Sequence, residues 1–368
     1  MNRPLQDILV VSVEQAATAP YCTSRLADAG ARVIKVERPE GDFARDYDEY
    51  AAGLSSYFVW LNRGKESLVL DLRDDASRDQ LEALLSKADV FVQNLKPRAL
   101  DRLGFSVARL RQQYPSLICC SISGYGDEGP LSRRKAYDLL VQAESGLSSV
   151  TGNAEGCARV GISIVDIATG AVAHASVLEA LIGRASSGVG ADVRISMFDV
   201  MADWLTVPLL QAEAGKTPKR IGLAHPSIAP YGAFRTKDEK QILIAIQSDR
   251  EWVALCEKVL KRAEFATDMR FKTNIDRVQN RSETDEALSQ VFLSMTLSVL
   301  QERLESASIA FATVNDMGAL SSHPHLRRVE VETSHGKISY PAPAAIFDGV
   351  TRSLGAVPDL GANKVSDL

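Results

Sequence analysis

The chain has 368 residues, 45% of them hydrophobic and 24% charged, with a formal net charge of −5. This is typical of a globular protein with room for two domains, and the mild acidity argues against general binding of nucleic acid or anionic membranes. The five cysteines form no CxxC pair, which disfavours a metal site and a disulfide framework. A polar N-terminus and the lack of a long uncharged apolar run complete a pattern that predicts a cytoplasmic protein with no membrane contact.

Strand and helix patterns alternate over the first 125 residues. Runs rich in Val and Ile predict buried strands, and the stretches between them have the period of helices. Right-handed connections between such strands give a parallel sheet, so we predict a doubly wound, Rossmann-like α/β domain. The strands are predicted at 8–13, 32–37, 66–70, 89–93 and 116–123, and the helices at 20–29, 75–87, 97–103 and 107–114.

The pattern continues after residue 125 and then changes. A helix is predicted directly after Asp166, a sixth strand over 191–196 and a long helix over 197–214. The polar, turn-rich stretch from Gly215 to Arg220 indicates a linker. Beyond it we predict a smaller α+β unit, with a hairpin from 231–234 and 241–247, helices over 251–261 and 283–307, and a strand at 309–314. The final stretch, from about Met317, has further strand patterns at 329–332 and 337–340.

The predicted sheet lacks the common nucleotide-binding loops. The turn after the first strand, from Glu14 to Pro20, has no glycine, whereas a dinucleotide fingerprint needs several. Neither a P-loop nor a GxSxG motif occurs, so a nicotinamide dehydrogenase and a kinase are weak candidates. Basic residues gather instead near strand ends, as a solvated rim or as a site for a phosphorylated ligand. They are Arg38, Arg63, Lys65, Lys96, Arg98, Arg102, Arg133, Arg134 and Lys135.

Asp166 stands between an apolar run and a helix pattern rich in small residues. The plainer interpretation is a helix N-cap, whose side-chain oxygen accepts hydrogen bonds from the amides of the first turn. The alternative is a poorly solvated carboxylate at the positive end of a helix, positioned as a nucleophile. The segment alone favours the cap.

A series of motifs resembles the class III CoA-transferases, the CaiB/BaiF-like family of formyl-CoA and carnitinyl-CoA transferases. Each motif alone is degenerate, but the ordered set over most of the first 200 residues is specific. The motifs are LADAGARVIKVE at 26–37, NRGKESLVLDL at 62–72, ADVFVQN at 88–94, ALDRLG at 99–104, SISGYG at 121–126 and YDLLVQA at 137–143.

The resemblance implies that Asp166 is the family's nucleophile, which reverses the preference for a cap. The carboxylate would attack the thioester of a donor acyl-CoA and form an acyl–aspartyl anhydride, then an aspartyl-CoA thioester that passes CoA to an acceptor acid. Coenzyme A and acyl-CoA are then substrates, and no metal or permanently bound cofactor is implied. By the same resemblance, the CoA-binding residues are Ala16, Ala17, Arg38, Arg63, Lys96, Arg102, Lys135 and Tyr137.

Two departures from the family pattern bear on the substrate. Ala16 and Ala17 stand where formyl-CoA transferases carry a glutamine, and the segment HPSIAPYG at 225–232 replaces their glycine-run loop. Both departures point away from formyl or oxalyl groups. The segment resembles relatives that act on C4–C5 dicarboxylates such as succinate, mesaconate, itaconate, malate or glutarate, although a simple turn into the hairpin is an equal interpretation. The residues that would bind the second carboxylate are His225, Ser227 and Tyr231.

Two other functions are alternatives on the same fold. The α-methylacyl-CoA racemases pair the aspartate with a histidine, but Tyr137 occupies that place here. Tyrosine, with a reference pKa near 10, is a poor partner for proton exchange, and we interpret His174 as structural. A non-catalytic CoA-binding protein is the third possibility, and an intact Asp166 argues against it.

The resemblance also implies the architecture. The family forms an interlocked homodimer in which each active site draws on both chains. The large CoA-binding domain is expected to comprise residues 1–200 and 317–368, followed in the chain by a linker at 201–225 and a small domain at 226–316.

Overall fold

The computed structural model describes residues 3–364, which form two compact units. A large unit comprises residues 3–148, 159–209 and 326–364, and a smaller unit comprises 149–158 and 210–325. The predicted bounds placed 149–158 in the large domain. The contacts group this stretch with residues 220–222 because the Gly222 amide donates to the Gly152 carbonyl at 2.8 Å.

Six parallel strands form the sheet of the large unit, which confirms the predicted doubly wound α/β fold. They are β1 (Leu9–Val13), β2 (Arg32–Glu37), β3 (Lys65–Val69), β4 (Val90–Gln93), β5 (Ile118–Ser123) and β8 (Asp192–Ser196). Two short strands of the smaller unit, β6 (Gly152–Asn153) and β7 (Gly156–Cys157), come between β5 and β8 in the chain. The order across the sheet is β3-β2-β1-β4-β5-β8, so the direction of winding reverses between β1 and β4.

Helices cover both faces of this sheet, because alternate residues of each strand point to opposite sides. Val10 lies in a core with the helices around Cys22 and Val177, and Val11 lies in a second core with Leu81 and Leu110. The helices up to residue 213 are α1 (Thr18–Asp28), α2 (Ser56–Asn62), α3 (Asp75–Leu85), α4 (Ala99–Arg102), α5 (Val107–Gln113), α6 (Asp138–Glu144), α7 (Leu147–Val150), α8 (Ile164–Ser187), α9 (Met197–Trp204) and α10 (Thr206–Glu213), with a 3₁₀ turn at Phe43–Asp46. Of these, α7 and α10 have residues in both units and no buried side chain.

The C-terminal stretch of the described chain returns to the edge of the large sheet. The Asn363 amide donates to the Ser67 carbonyl at 3.0 Å, and the Ser67 amide donates to Asn363 Oδ1 at 3.1 Å. Leu68 and Asn363 form a parallel bridge. The tail therefore covers the free edge of β3, which would otherwise present unpaired backbone groups.

Helix α8 begins before Asp166, and the segment that precedes it is not a strand. Ser163 occupies the N-cap position and Asp166 lies in the first turn, so the interpretation of Asp166 as the N-cap is wrong. The apolar run is irregular, and Ile162 is 54% exposed. Among Ile162, Ile164 and Val165, which precede Asp166 in the sequence, only Val165 is buried.

The same helix corrects a second expectation from the sequence. Ile164–Ser187 is long and apolar enough, by length and composition alone, to cross a membrane, whereas no such run was expected. Its residues Val165, Ala173 and Val177 are buried in a core of the large unit. Arg184 near its end pairs with Asp89 at 2.9 Å. These contacts describe a helix that packs against the sheet.

The smaller unit contains a three-stranded antiparallel sheet covered by helices. Its core includes Trp252, Leu288 and Phe292, all fully buried. The strands are β9 (Tyr231–Arg235), β10 (Gln241–Ala245) and β11 (Ala310–Thr313) in the order β11-β10-β9; the helices are α11 (Asp249–Ala254), α12 (Glu264–Thr267), α13 (Asn274–Gln279), α14 (Arg281–Phe292), α15 (Leu297–Ser306) and α16 (Met317–Ser321), with a π-helical turn at Leu255–Leu260. The hairpins β12 (Arg328–Thr333) with β13 (Gly336–Pro341) and β14 (Ile346–Phe347) with β15 (Val350–Thr351) belong to the large unit.

Candidate active site

A cavity of about 420 Å³ lies at the carboxyl ends of β1 and β4, where the strand order reverses. Open parallel sheets bind ligands at such switch points, because the connections on either side leave in opposite directions and open a crevice. Six of the residues proposed from the sequence line this cavity together: Ala16, Ala17, Lys96, Lys135, Tyr137 and Asp166.

The loop after β1 is held in an unusual backbone conformation beside this cavity. Ala16 has a φ of 62°, in the left-handed region that residues other than glycine rarely adopt. Its amide donates to Asp42 Oδ1 at 3.0 Å. Asn94, from the end of β4, accepts from the Gln15 amide and donates to the Gln15 carbonyl, both at 2.9 Å. Side chains from two neighbouring connections therefore fix the loop that follows β1.

A buried charge network supports Asp42 and the end of β1. Lys35 Nζ lies 2.6 Å from Asp42 Oδ2, and Lys65 Nζ lies 2.7 Å from Glu14 Oε1. All four side chains are essentially inaccessible to solvent. Burial lowers the pKa of Lys65 to about 8, and the Glu14 carboxylate acts in the opposite direction. Buried charges of this kind persist only when paired, so the network ties Asp42 to its position.

Asp166 presents a half-buried carboxylate to the cavity. Thr18, the first residue of α1, donates a short hydrogen bond from Oγ1 to Asp166 Oδ1. Burial raises the pKa of Asp166 to about 6; the Thr18 hydrogen bond opposes the rise, and the negative charge of Asp138 adds to it. A poorly solvated carboxylate of this kind is more basic, and so a better nucleophile, than one in water.

Asp138, at the start of α6, caps the helix that carries Asp166. Its Oδ2 accepts from the Val165 amide at 2.8 Å and from the Asp166 amide at 3.2 Å. Gln142, one turn further along α6, donates to Asp138 Oδ1 at 2.6 Å and accepts from the Val160 amide at 2.9 Å. The Val165 and Asp166 amides would otherwise lack partners, because the first turn of a helix has no intrahelical acceptors for them.

Aromatic side chains form another wall of the cavity. The Tyr57 hydroxyl lies 2.9 Å from Ser163 Oγ, just before the helix that bears the aspartate. Tyr47 packs edge-on against Tyr57, and Phe43 packs against Tyr47. Burial raises the pKa of Tyr47 to about 12, so its phenol stays neutral at physiological pH. This wall limits solvent contact on one side of the carboxylate.

The remaining basic residues proposed for CoA are dispersed. Arg38 lines a second cavity of about 500 Å³ at the ends of β1, β2 and β3, and Gln15 and Leu95 line both cavities. Arg102 lines neither cavity. The Arg63 guanidinium is almost inaccessible and is bound to the Asp28 carboxylate and to the Trp60 carbonyl. Because those bonds occupy it, we withdraw Arg63 as a phosphate ligand.

The proposed substrate loop lies in the smaller unit, where a ring stack and hydrogen bonds hold it. The rings of His225 and Tyr231 stack with centroids 5.3 Å apart. Arg281 donates to the His225 and Ile228 carbonyls, each at 2.7 Å. Ser227 accepts a weak hydrogen bond of 3.4 Å from Gln211.

The structure gives no support to a two-base racemase site. Tyr137, at the position where racemases carry histidine, is 60% exposed. His174 lines a different cavity, of about 1190 Å³, together with Tyr21 and Arg63, and burial and the nearby Arg25 lower its pKa. Among residues 3–364, His, Cys, Asp and Glu side chains form no group of three or more that could hold a metal ion.

Thr18 and Asp138 contact the candidate nucleophile, and the sequence analysis did not identify either of them. Asp138 lies within the YDLLVQA motif, so its family match was a usable signal. Thr18 gave a weaker signal, a hydroxyl in the turn after the first strand. Its partner lies 148 residues away in the chain, and only the fold brings the two together.

The sheet order, the switch-point cavity and its carboxylate are compatible with a CoA-transferase, and comparison with known proteins identifies that class. Residues 5–364 match the sequence model of CoA-transferase family III, so the chain belongs to that family and is a CoA-transferase. The resemblance inferred from the sequence motifs is confirmed.

Individual relatives are named for dicarboxylate acceptors. The chain is 35% identical to the acetyl-CoA:oxalate CoA-transferase of Acetobacter aceti, over 94% of this chain and 90% of the relative. It is 32% identical to the human succinyl-CoA:glutarate CoA-transferase, over 97% and 83% of the two chains. Among solved structures, a CaiB/BaiF family protein from Brucella suis is 30% identical with a TM-score of 0.83, covering 98% of this chain and 97% of that one. Rv3272 from Mycobacterium tuberculosis is 28% identical with a TM-score of 0.87, covering 98% and 97%.

Proposed function

We propose that the enzyme moves CoA from a donor acyl-CoA to a dicarboxylic acid, with Asp166 as the covalent nucleophile. The observation that carries the proposal is a half-buried carboxylate, oriented by Thr18, in a cavity at the switch point of the sheet. Such a cavity shields an anhydride from bulk water, and the raised pKa keeps the carboxylate reactive.

The reaction has two symmetrical halves. Asp166 attacks the donor thioester carbonyl, the C–S bond breaks, and CoA thiolate leaves an acyl–aspartyl anhydride. The thiolate then attacks the aspartyl carbonyl and releases the donor acid, which leaves an aspartyl-CoA thioester. The acceptor carboxylate attacks this thioester and expels the thiolate, which finally attacks the acceptor acyl carbon and frees Asp166. Each step trades one activated acyl bond for another, so no external energy source is needed.

The two cavities at the sheet edge support a path for the CoA molecule. The thioester would lie beside Asp166, and Gln15 and Leu95 would flank the pantetheine arm where the cavities meet. Lys96 and Lys135 in the first cavity and Arg38 in the second offer cations for phosphate groups. Arg102 stays a proposal from the family resemblance alone.

The acceptor class rests on the relatives. Those described above are named for oxalate and glutarate, and a third, from Haloarcula hispanica, for mesaconate at 33% identity. We therefore propose a short dicarboxylate and include oxalate, which the sequence alone disfavoured. His225, Ser227 and Tyr231 are proposed to bind its second carboxylate, in an interlocked homodimer located in the cytoplasm.

A substrate screen tests the proposal directly. Succinyl-CoA is offered oxalate, mesaconate, itaconate, malate, glutarate or acetate, acetyl-CoA is offered the same dicarboxylates and succinate, and new thioesters are detected by mass spectrometry. We expect transfer to at least one dicarboxylate to exceed transfer to acetate by orders of magnitude. Equal rates with acetate would contradict the assignment of a dicarboxylate.

The nucleophile is tested separately. Asp166→Asn should abolish transfer, because an amide cannot form the anhydride, while Glu179→Gln, an exposed acid on the same helix, should leave it unchanged. Hydroxylamine added with acyl-CoA should modify the wild-type chain at Asp166. Full activity of Asp166→Asn would refute the covalent route.

A further inference from the structure

We infer that Asp138, held by Gln142, is a positioning residue for transfer, fixing the backbone of the nucleophile and placing a second negative charge beside it. The inference rests on the proposed role of Asp166. It concerns a side chain to which the covalent route assigns no step.

The geometry shows how tightly this pair holds the nucleophile. Both oxygens of Asp138 are bonded, Oδ2 to the amides of Val165 and Asp166 and Oδ1 to Gln142. Gln142 is fully buried and also binds the Val160 amide. Two side chains of α6 therefore hold the chain on both sides of the turn that leads into α8. A shift of about 1 Å in a reacting group can lower the rate a hundredfold. The hydrogen bonds of Asp138 and Gln142 should therefore affect the rate of transfer.

The charge of Asp138 has a second consequence. The amides at the start of a helix create a positive field that would stabilise the ionised Asp166 and make it less nucleophilic. Asp138 bonds two of those amides and adds a negative charge of its own, which offsets that field. Within residues 3–364, it is the other carboxylate lining the cavity of Asp166. The remaining titratable groups of the lining are Lys96, Arg134, Lys135, Arg159, Tyr47, Tyr57 and Tyr137.

An ordinary helix cap and a positioning residue predict different pH profiles. If Asp138 only stabilises the fold, Asp138→Asn lowers the rate equally at every pH or not at all. If its charge acts on Asp166, the acid limb of kcat/KM moves to lower pH, because the negative charge of Asp138 no longer opposes the ionisation of Asp166. We expect a movement of roughly half to one pH unit below the wild-type limb.

The experiment measures kcat, KM and the acid limb for four variants with one donor and acceptor pair. Asp138→Asn should lower kcat about tenfold or more, move the limb down, and change the Kd for CoA by less than about threefold by calorimetry. Gln142→Met retains the charge, so it should lower kcat without moving the limb; it also serves as the test if Asp138→Asn does not fold. Glu179→Gln makes the same charge change on the exposed side of α8 and should match the wild type.

Asp166→Asn separates the two claims. If it is inactive and the acid limb of Asp138→Asn stays at the wild-type pH, whether or not kcat falls, the inference about Asp138 is overturned while the proposed function stands. If Asp166→Asn is active, the proposed function fails and the inference fails with it.

Discussion

Replacing Thr18 by valine tests whether its hydroxyl sets the reactivity of Asp166. Valine has nearly the same shape and keeps the buried first turn of α1, but it removes the donor to Asp166 Oδ1. That hydrogen bond favours the ionised form and lowers the pKa of Asp166 against the effect of burial. Without it, the pKa should rise above about 6.

The size of this rise follows from the strength of the bond. A hydrogen bond to a charged group contributes about 1.5–3 kcal/mol, which corresponds to about 1–2 pH units. The acid limb of kcat/KM, which reports the free enzyme, should move from about 6 in the wild type to about 7–8 in Thr18→Val. At pH 7 the ionised fraction would fall from about nine-tenths to between about one-tenth and one-half.

The assay is steady-state transfer from pH 5 to pH 9.5, followed by mass spectrometry of the product thioester. We expect kcat/KM of Thr18→Val to be reduced about two- to tenfold at pH 7 and to recover toward the wild-type value at pH 9. Thr18→Ser retains the hydroxyl and should keep the wild-type limb. A limb that stays in place or moves down in Thr18→Val would refute the assignment of this hydrogen bond.

Four further predictions address the rest of the site. Burial raises the pKa of Asp166 to about 6, so the protonated carboxyl contributes fully to stability below a pH of about 4, and this contribution is lost as the pH rises through about 6. Asp166→Asn removes the buried charge and should therefore raise the free energy of unfolding by about 1–3 kcal/mol at pH 8 and hardly at pH 4. Arg63→Met leaves the Asp28 carboxylate short of its main partner, so urea unfolding should show a loss of about 3 kcal/mol, with the Kd for CoA unchanged. Lys135→Ala should weaken CoA binding about ten- to a hundredfold by calorimetry, and an unchanged Kd would remove it from the CoA site. His225→Ala should raise the KM for the dicarboxylate more than the KM for CoA, and an equal change in both would show that the loop does not bind the acceptor.

The strands of the large sheet were predictable because burial on both faces demands continuous runs of Val and Ile. β2 has the predicted bounds, 32–37, and β1, β3, β4, β5 and β8 differ from prediction by one or two residues at an end. The helices agree less closely with the prediction. The single helix predicted over 197–214 is interrupted at Leu205. The helix α2 is absent from the prediction, because its short sequence mixes polar and aromatic residues and shows no clear apolar period.

The candidate site was predictable where one residue carries the chemistry and less so where residues act through others. Asp166 was identified from motifs in their order. Contacts between distant segments determine the left-handed backbone of Ala16, the hydrogen bonds of Asn94 to Gln15 and the buried Lys35–Asp42 ion pair. The sequence pattern does not reveal such contacts. Arg63 differs from its prediction, because a basic residue next to a strand end suggests a phosphate ligand, whereas its guanidinium is buried against Asp28. The position of Arg63 in the sequence predicts that it lies near the end of a strand, but it does not predict the direction of its side chain.

The return of the chain to the edge of β3 has a consequence for biosynthesis. Ser67 and Asn363 are separated by 296 residues. At about 5–20 residues per second, the ribosome therefore needs about 15–60 s to deliver the segment that covers this edge. Throughout that interval the nascent large unit exposes a strand edge rich in unpaired backbone groups, which other chains can join. Chaperone binding during synthesis should therefore concentrate on this edge, and slowing translation across the smaller unit should lower the yield of active enzyme.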